Sequence, residues 1–209
     1  MTLRVTILCA GPAEGIHGPA LGDGPLDRRA LREAATAKAA LPPYSLALRA
    51  PSVRCAQTAG ALGVAAVPEA ALRDIDHGRW SGFTRADIAA ADPHGFSAWL
   101  TDPDAAPHGG ETVGRLCLRT ASWLGSLPGD AGHVLAITEA SVVRAVLVHV
   151  RSAPARTFWH LDVPPLSAVT LTMRDGLWHA RPVEAPVPRQ RASADDGASV
   201  GSTARDTRR

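Results

Sequence analysis

Lysine is nearly missing. Lys38 is the single one, and arginine supplies the rest of 22 basic residues set against 20 acidic ones, for a net charge of +2. So even a balance leaves no basic footprint for nucleic acid, and the arginines read as solvated surface. Cysteine is scarce too. Cys9, Cys55 and Cys117 are odd in number and far apart, which argues against a disulfide framework or a zinc site. A reducing cytoplasm is the expected compartment, and no cofactor or metal is called for. No apolar run approaches the length of a membrane span, and the first residues carry no cleavage signature, so neither an anchor nor a signal peptide is expected.

What remains is ample for a core. The chain has 209 residues, 45% of them apolar and 20% charged, enough for one sizeable domain. That domain is expected over residues 1–183. Residues 184–209 turn to Pro, Ser, Ala, Asp and Arg with few large apolar side chains, the composition of a disordered tail.

The domain is organised around Thr6-Ile7-Leu8-Cys9-Ala10-Gly11-Pro12, an apolar run ending in a Gly-Pro turn. It reads as the buried first strand of a parallel sheet. Asp27 then opens an Ala-rich helix over 28–40 anchored by Leu31. A buried strand follows at 44–48 and a third short strand at 64–67. Between them lies a helix capped by Ser52 and running to Leu62, with Arg54 in its first turn. Helices are expected at 84–91, 95–101 and 112–126, a buried strand at 134–138 and an apolar helix at 142–150. A short helix near 154–159 and two strands turning at Asp175-Gly176 complete the pattern. Alternating strands and helices imply a three-layer α/β/α sandwich with a mostly parallel central sheet. Chemistry in such folds sits past the carboxyl ends of the strands. There the first strand offers only Cys9, Ala10 and Gly11.

Five segments in order resemble those of the histidine phosphatase superfamily, also called phosphoglycerate-mutase-like. They are Cys9-Ala10-Gly11; Ala50-Pro51-Ser52-Val53-Arg54 with Gln57-Thr58-Ala59; Leu72-Arg73-Asp74 with Gly78-Arg79-Trp80-Ser81-Gly82; Gly109-Gly110-Glu111-Thr112; and Thr138-Glu139-Ala140-Ser141. The resemblance covers residues 3 to about 180. It implies a phosphate pocket, with the site at Cys9, Ala10, Gly11, Arg54, Asp74, His77, Glu139 and Ala140. By that resemblance the histidine that attacks phosphorus is Ala10, the arginine before it is Cys9, and the second histidine is Glu139. Asp74 takes the place of the glutamate that protonates the leaving group. Arg54 alone is unchanged.

The altered pocket has the wrong charge for phosphoryl transfer, which needs positive groups around the equatorial oxygens. A carboxylate and a phosphate charge about 4 Å apart repel by roughly 4 kcal/mol at an effective dielectric near 20. Arg54 is therefore expected to pair with Glu139 and partly fill the site. Cys9 has two readings: a small buried hydrophobe, or a thiolate whose pKa Arg54 lowers. The hydrophobe is favoured. His77 packs a loop or touches a ligand; His17 and His108 are expected to be solvated; Trp80 packs its loop, and Trp99 and Trp123 are core. A divalent cation on Asp74, Glu139 and His77 is disfavoured by the neighbouring Arg54.

The expected function is therefore a binding or regulatory protein that has lost phosphohistidine catalysis. It would take a small molecule, phosphorylated or not, and neither nucleic acid nor a membrane. The alternative is an active hydrolase, either a residual phosphomonoesterase or an acid–base enzyme using Glu139 and Asp74.

Overall fold

The computed structural model describes residues 2–13 and 20–181. The expected tail and His17 lie outside them. Strands β1 (Arg4–Cys9), β2 (Leu46–Arg49), β3 (Val67–Pro68), β4 (His133–Thr138), β5 (Ala168–Arg174) and β6 (Leu177–Ala180) form one sheet in the order β3-β2-β4-β1-β5-β6. The first four run parallel, and β5 and β6 are antiparallel additions at one edge. β1 and β4 are central, and every residue from Val5 to Cys9 and from Val134 to Thr138 is buried. That is why both read as unbroken apolar runs.

Helices α1 (Arg28–Ala37) and α2 (Val53–Leu62) pack against each other, as do α5 (Val113–Ser126) and α6 (Ala140–Val150). Right-handed crossovers place the β1→β2 and β2→β3 helices on one face. The β3→β4 crossover reverses direction and puts α5 on the other. The expected three-layer α/β architecture is therefore present. α3 (Arg85–Ala91) and α4 (Pro93–Thr101) stand apart over the carboxyl ends of the strands. Their buried Ile88 and Trp99 join Trp80 in a second apolar cluster.

Local chemistry sets the helix starts. The side chains of Asp27, Ser52 and Thr112 accept from backbone N–H groups three residues on, and Thr84 and Asp87 form a reciprocal capping box. Asp175 (φ 50°) and Gly176 (φ 76°) make the left-handed pair that a two-residue hairpin needs. Three local expectations shift. α1 buries Ala30, Ala34 and Ala37, with Leu31 only half-buried. The third strand is not 64–67 but the shorter pair Val67–Pro68, because Pro68 has no N–H to extend an edge ladder. α6 begins two residues early, at Ala140.

Candidate functional site

The strand ends converge. Cys9 pairs with Thr138 and Arg49 with Ile137. Just beyond the strands, the N–H of Ala10 donates to Thr138 O at 2.7 Å and that of Ala50 to Ile137 O at 2.8 Å. Ala10, Ser52 and Glu139 therefore leave the sheet at one end, each starting a loop or helix there. Gly11 is fastened below by its N–H on the Thr58 hydroxyl at 3.2 Å.

Arg54 does not pair with Glu139, contrary to the expectation from sequence. No Arg54 nitrogen comes within 4 Å of a Glu139 oxygen. Instead Nε lies 3.8 Å from Asp23 Oδ1, and a terminal N–H donates to the Gly22 carbonyl. Asp23 also accepts from the N–H groups of Val53 at 2.7 Å and Arg54 at 3.3 Å. A carboxylate at the N-terminus of α2 answers both the free N–H groups and the helix dipole. The loop over 20–24 thus folds back onto α2 and engages Arg54. Arg54 Nε is buried without a hydrogen-bond partner among the described residues.

Glu139 is only 3% exposed. The Cys55 thiol donates to its Oε1 at 3.4 Å. Burial raises its pKa, and the neighbouring Asp74 raises it further, against smaller opposing effects of Ser52, Arg54 and Cys55. Asp74 is held by the Ser141 hydroxyl, which donates to Oδ1, and by the N–H of Ile75 at 2.8 Å on the same oxygen. Cys9 is no thiolate. Burial, then Glu139, pushes its pKa up to about 12, outweighing Arg144 and Arg54. Its favoured reading as a small buried hydrophobe agrees with that. The Cys55 thiol is likewise pushed up, chiefly by burial.

Above these groups lies a cavity of about 120 Å³. Asp74, His77, Glu139 and Ala140 line it. Cys9, Ala10, Gly11 and Arg54 are not on its wall. Ser141, Arg85, Arg144, Phe158 and Trp159 are on it and were not expected there, and Trp99, favoured as core, lines it too. Arg144 is the one charged residue in the apolar run of α6, a signal overlooked because the run reads as a core helix. Arg85, in the first turn of α3, left no sign of its direction.

His77 is buried at 7% exposure, with Nδ1 unpartnered among the described residues, and burial lowers its pKa. Its ring meets those of Trp99 and His108 edge-on, with centroids 6.0 and 6.1 Å apart. His108 corrects another expectation. It is not solvated but 2% exposed, and its Nδ1 accepts from the Gly110 N–H at 3.0 Å. Trp80 packs its loop as expected, with Trp99 beside it, and Trp123 lies in the main core.

The loop carrying Asp74 and His77 is held by the Gly-Gly-Glu-Thr segment. Glu111 accepts both Nε and a terminal N–H of Arg119, at 2.9 and 2.7 Å. Arg119 also donates to the carbonyls of Ala71 and Arg73 at 2.7 and 3.0 Å. The Glu111 N–H donates to Asp76 O at 2.8 Å. A Cβ at Gly110 would overlap that same carbonyl, so only glycine lets the two loops meet.

A family model, histidine phosphatase superfamily (branch 1), matches residues 11–185. Sequence comparison with curated proteins gives no match. Among solved structures, an α-ribazole phosphatase from Shigella flexneri is 18% identical, with TM-score 0.74 and coverage of 88% of this chain and 96% of that one. A mycobacterial glucosyl-3-phosphoglycerate phosphatase is 23% identical, with TM-score 0.72 and coverage of 86% and 97%. A phosphoserine phosphatase from Entamoeba histolytica, crystallised as a histidine-to-alanine mutant with phosphoserine, is 14% identical, with TM-score 0.79 and coverage of 88% and 98%.

Proposed function

Because the chain belongs to the histidine phosphatase superfamily and carries Ala10 where the resemblance puts the nucleophilic histidine, we propose that it binds a small molecule in this cavity without forming a phosphoenzyme. One observation carries the reading. The residue at the end of β1 is a buried methyl group, 3% exposed, and its neighbour Cys9 is held as a neutral thiol. Neither can attack phosphorus at neutral pH. Glu139, at the position of the second histidine, adds a carboxyl group where a transferring phosphoryl group needs positive charge. Arg54, the unchanged member of the set, is engaged by Asp23 and Gly22.

Binding without turnover has support from a relative. The phosphoserine phosphatase from Entamoeba histolytica holds phosphoserine with one histidine replaced by alanine. The unpaired cysteines favour a reducing, cytoplasmic setting, and the near-neutral charge favours a small-molecule ligand over nucleic acid.

A panel of phosphomonoesters offered to the purified full chain tests this. The expected result is release of phosphate no faster than from buffer. Robust turnover that dies with Glu139→Gln or Cys9→Ser would show a different active site on the same fold.

A further inference from the structure

We propose that the cavity over β4 takes a small monocarboxylate with a planar apolar body, its carboxylate held between Arg144 and Arg85. The proposal rests on the binding reading above and names the class of ligand.

The first argument is the unpaired positive charge. Neither Arg85 nor Arg144 has a carboxylate oxygen of a described residue within 4 Å. Arg144 is half-buried, and toward the described residues its one hydrogen bond is from Nε to the Leu161 carbonyl at 2.8 Å. The two guanidiniums are close enough for Arg85 to lower the pKa of Arg144, an effect second only to burial. Two like charges turned to one cavity, one of them half-buried, are stabilised by an anion bound between them. A planar guanidinium fork matches a carboxylate through two parallel N–H···O bonds.

The second argument is the size of the anionic charge. The same wall carries Asp74, and Glu139, whose neutral form burial favours. With Glu139 protonated, two arginines and one carboxylate leave room for one further negative charge. A phosphomonoester brings about −1.5 to −2 at neutral pH and feels repulsion from Asp74 about twice over. A carboxylate brings one charge, and Glu139 when protonated can donate a hydrogen bond to it. The groups facing Glu139 are Asp74, Arg54, Ser52, Cys55 and Cys9. Above the point where Glu139 ionises, its charge adds to that of Asp74 and the ligand is released.

The third argument is the apolar wall. Arg144 lies 5.8 Å from the centroid of Phe158 and Arg85 lies 6.0 Å from that of Trp99. Trp159 stands edge-on to Trp99 at 4.2 Å. His77, on the same wall, offers a buried ring nitrogen without a partner. The volume, about 120 Å³, is near that of apolar cavities that admit benzene. The walls therefore suit a flat ring or short chain joined to one carboxylate.

Benzoate and phenyl phosphate separate the two chemistries, since they share a ring and differ in the anion. Both are titrated calorimetrically into the full chain at pH 6 and pH 8, with phosphate release followed in parallel. Benzoate is expected to bind roughly tenfold or more tightly than phenyl phosphate, and better at pH 6 than at pH 8. Arg144→Gln and Arg85→Gln are each expected to weaken benzoate roughly tenfold. Should Arg144→Gln not fold, the exposed Arg85 carries the test. Tighter binding of unhydrolysed phenyl phosphate would overturn the carboxylate proposal and leave the binding reading intact. So would benzoate binding that ignores both arginine variants, or no binding of benzoate at all. Hydrolysis of phenyl phosphate would instead overturn the binding reading.

Discussion

Arg54 faces Asp23 rather than Glu139, its Nε 3.8 Å from the Asp23 carboxylate. The single positive group kept from the phosphate pocket is therefore restrained by a loop, not by the carboxylate at the end of β4. Asp23→Asn keeps an oxygen to cap the α2 N–H groups but releases the charge on Arg54. Affinity for inorganic phosphate, measured by calorimetry, should rise. The Asp23 side chain is 41% exposed, so the lost pair should lower stability by no more than about 1 kcal/mol. Unchanged phosphate affinity would mean that Arg54 does not face the anion even when free.

Glu139 gives a pH signature in stability. Its folded pKa is raised, first by burial and then by Asp74, so the folded state holds its proton to higher pH than the unfolded chain does. Its contribution is then fully present below the ordinary glutamate value, about 4.3, and is lost as pH rises through the folded pKa. Glu139→Gln removes the ionisation and keeps the shape. The variant should melt above the parent at pH 8, with the gap closing toward pH 4. For a chain of this size each kcal/mol is worth about 2–4 °C. A variant that melts below the parent across the whole range would show that the carboxylate is stabilising in place.

Arg119 and Glu111 form the buried clamp behind Asp74, with side chains 13% and 9% exposed. Removing Arg119 leaves Glu111 only the half-exposed Arg73, 3.6 Å from its Oε1, so the cost stays below the roughly 3–5 kcal/mol of a fully unpaired buried charge. Arg119→Ala should lower the melting temperature by about 2–4 °C for each kcal/mol lost and should also free the carbonyls of Ala71 and Arg73. Hydrogen exchange over residues 71–77 should then speed up well before global unfolding. A fall in stability without that local loosening would deny the clamp its role in positioning Asp74.

Much of this was legible in the sequence because it is local. Capping residues Asp27, Ser52 and Thr112 fix helix starts within four residues, and the apolar runs starting at Thr6 and at Val134 announce strands buried on both faces. Of the eight residues named from sequence, Asp74, His77, Glu139 and Ala140 line one cavity, and Cys9, Ala10, Gly11 and Arg54 do not. What escaped depends on contacts between distant segments. The partner of Arg54 is set by a Gly-rich loop that folds back across 31 residues. Arg85 and Arg144 reach one cavity only because α3 leans over the start of α6. Burial of His108 comes from two glycine loops meeting backbone to backbone.

The central claim is that no residue at the end of β1 can carry a phosphoryl group, and trapping the phosphoenzyme tests it most directly. The full chain is mixed with a labelled phosphomonoester, quenched at high pH to preserve phosphohistidine, and examined for covalent label. The triple variant Cys9→Arg, Ala10→His, Glu139→His serves as the positive control, and Arg54→Ala added to it as the control for the pocket. The unmodified chain should carry no label. The triple variant should be labelled and should turn over at least about 100-fold faster than Ala10→His alone, with both signals lost when Arg54 is removed. A stoichiometric phosphohistidine on the unmodified chain would contradict the account, because it would mean that a histidine elsewhere does the work assigned to none.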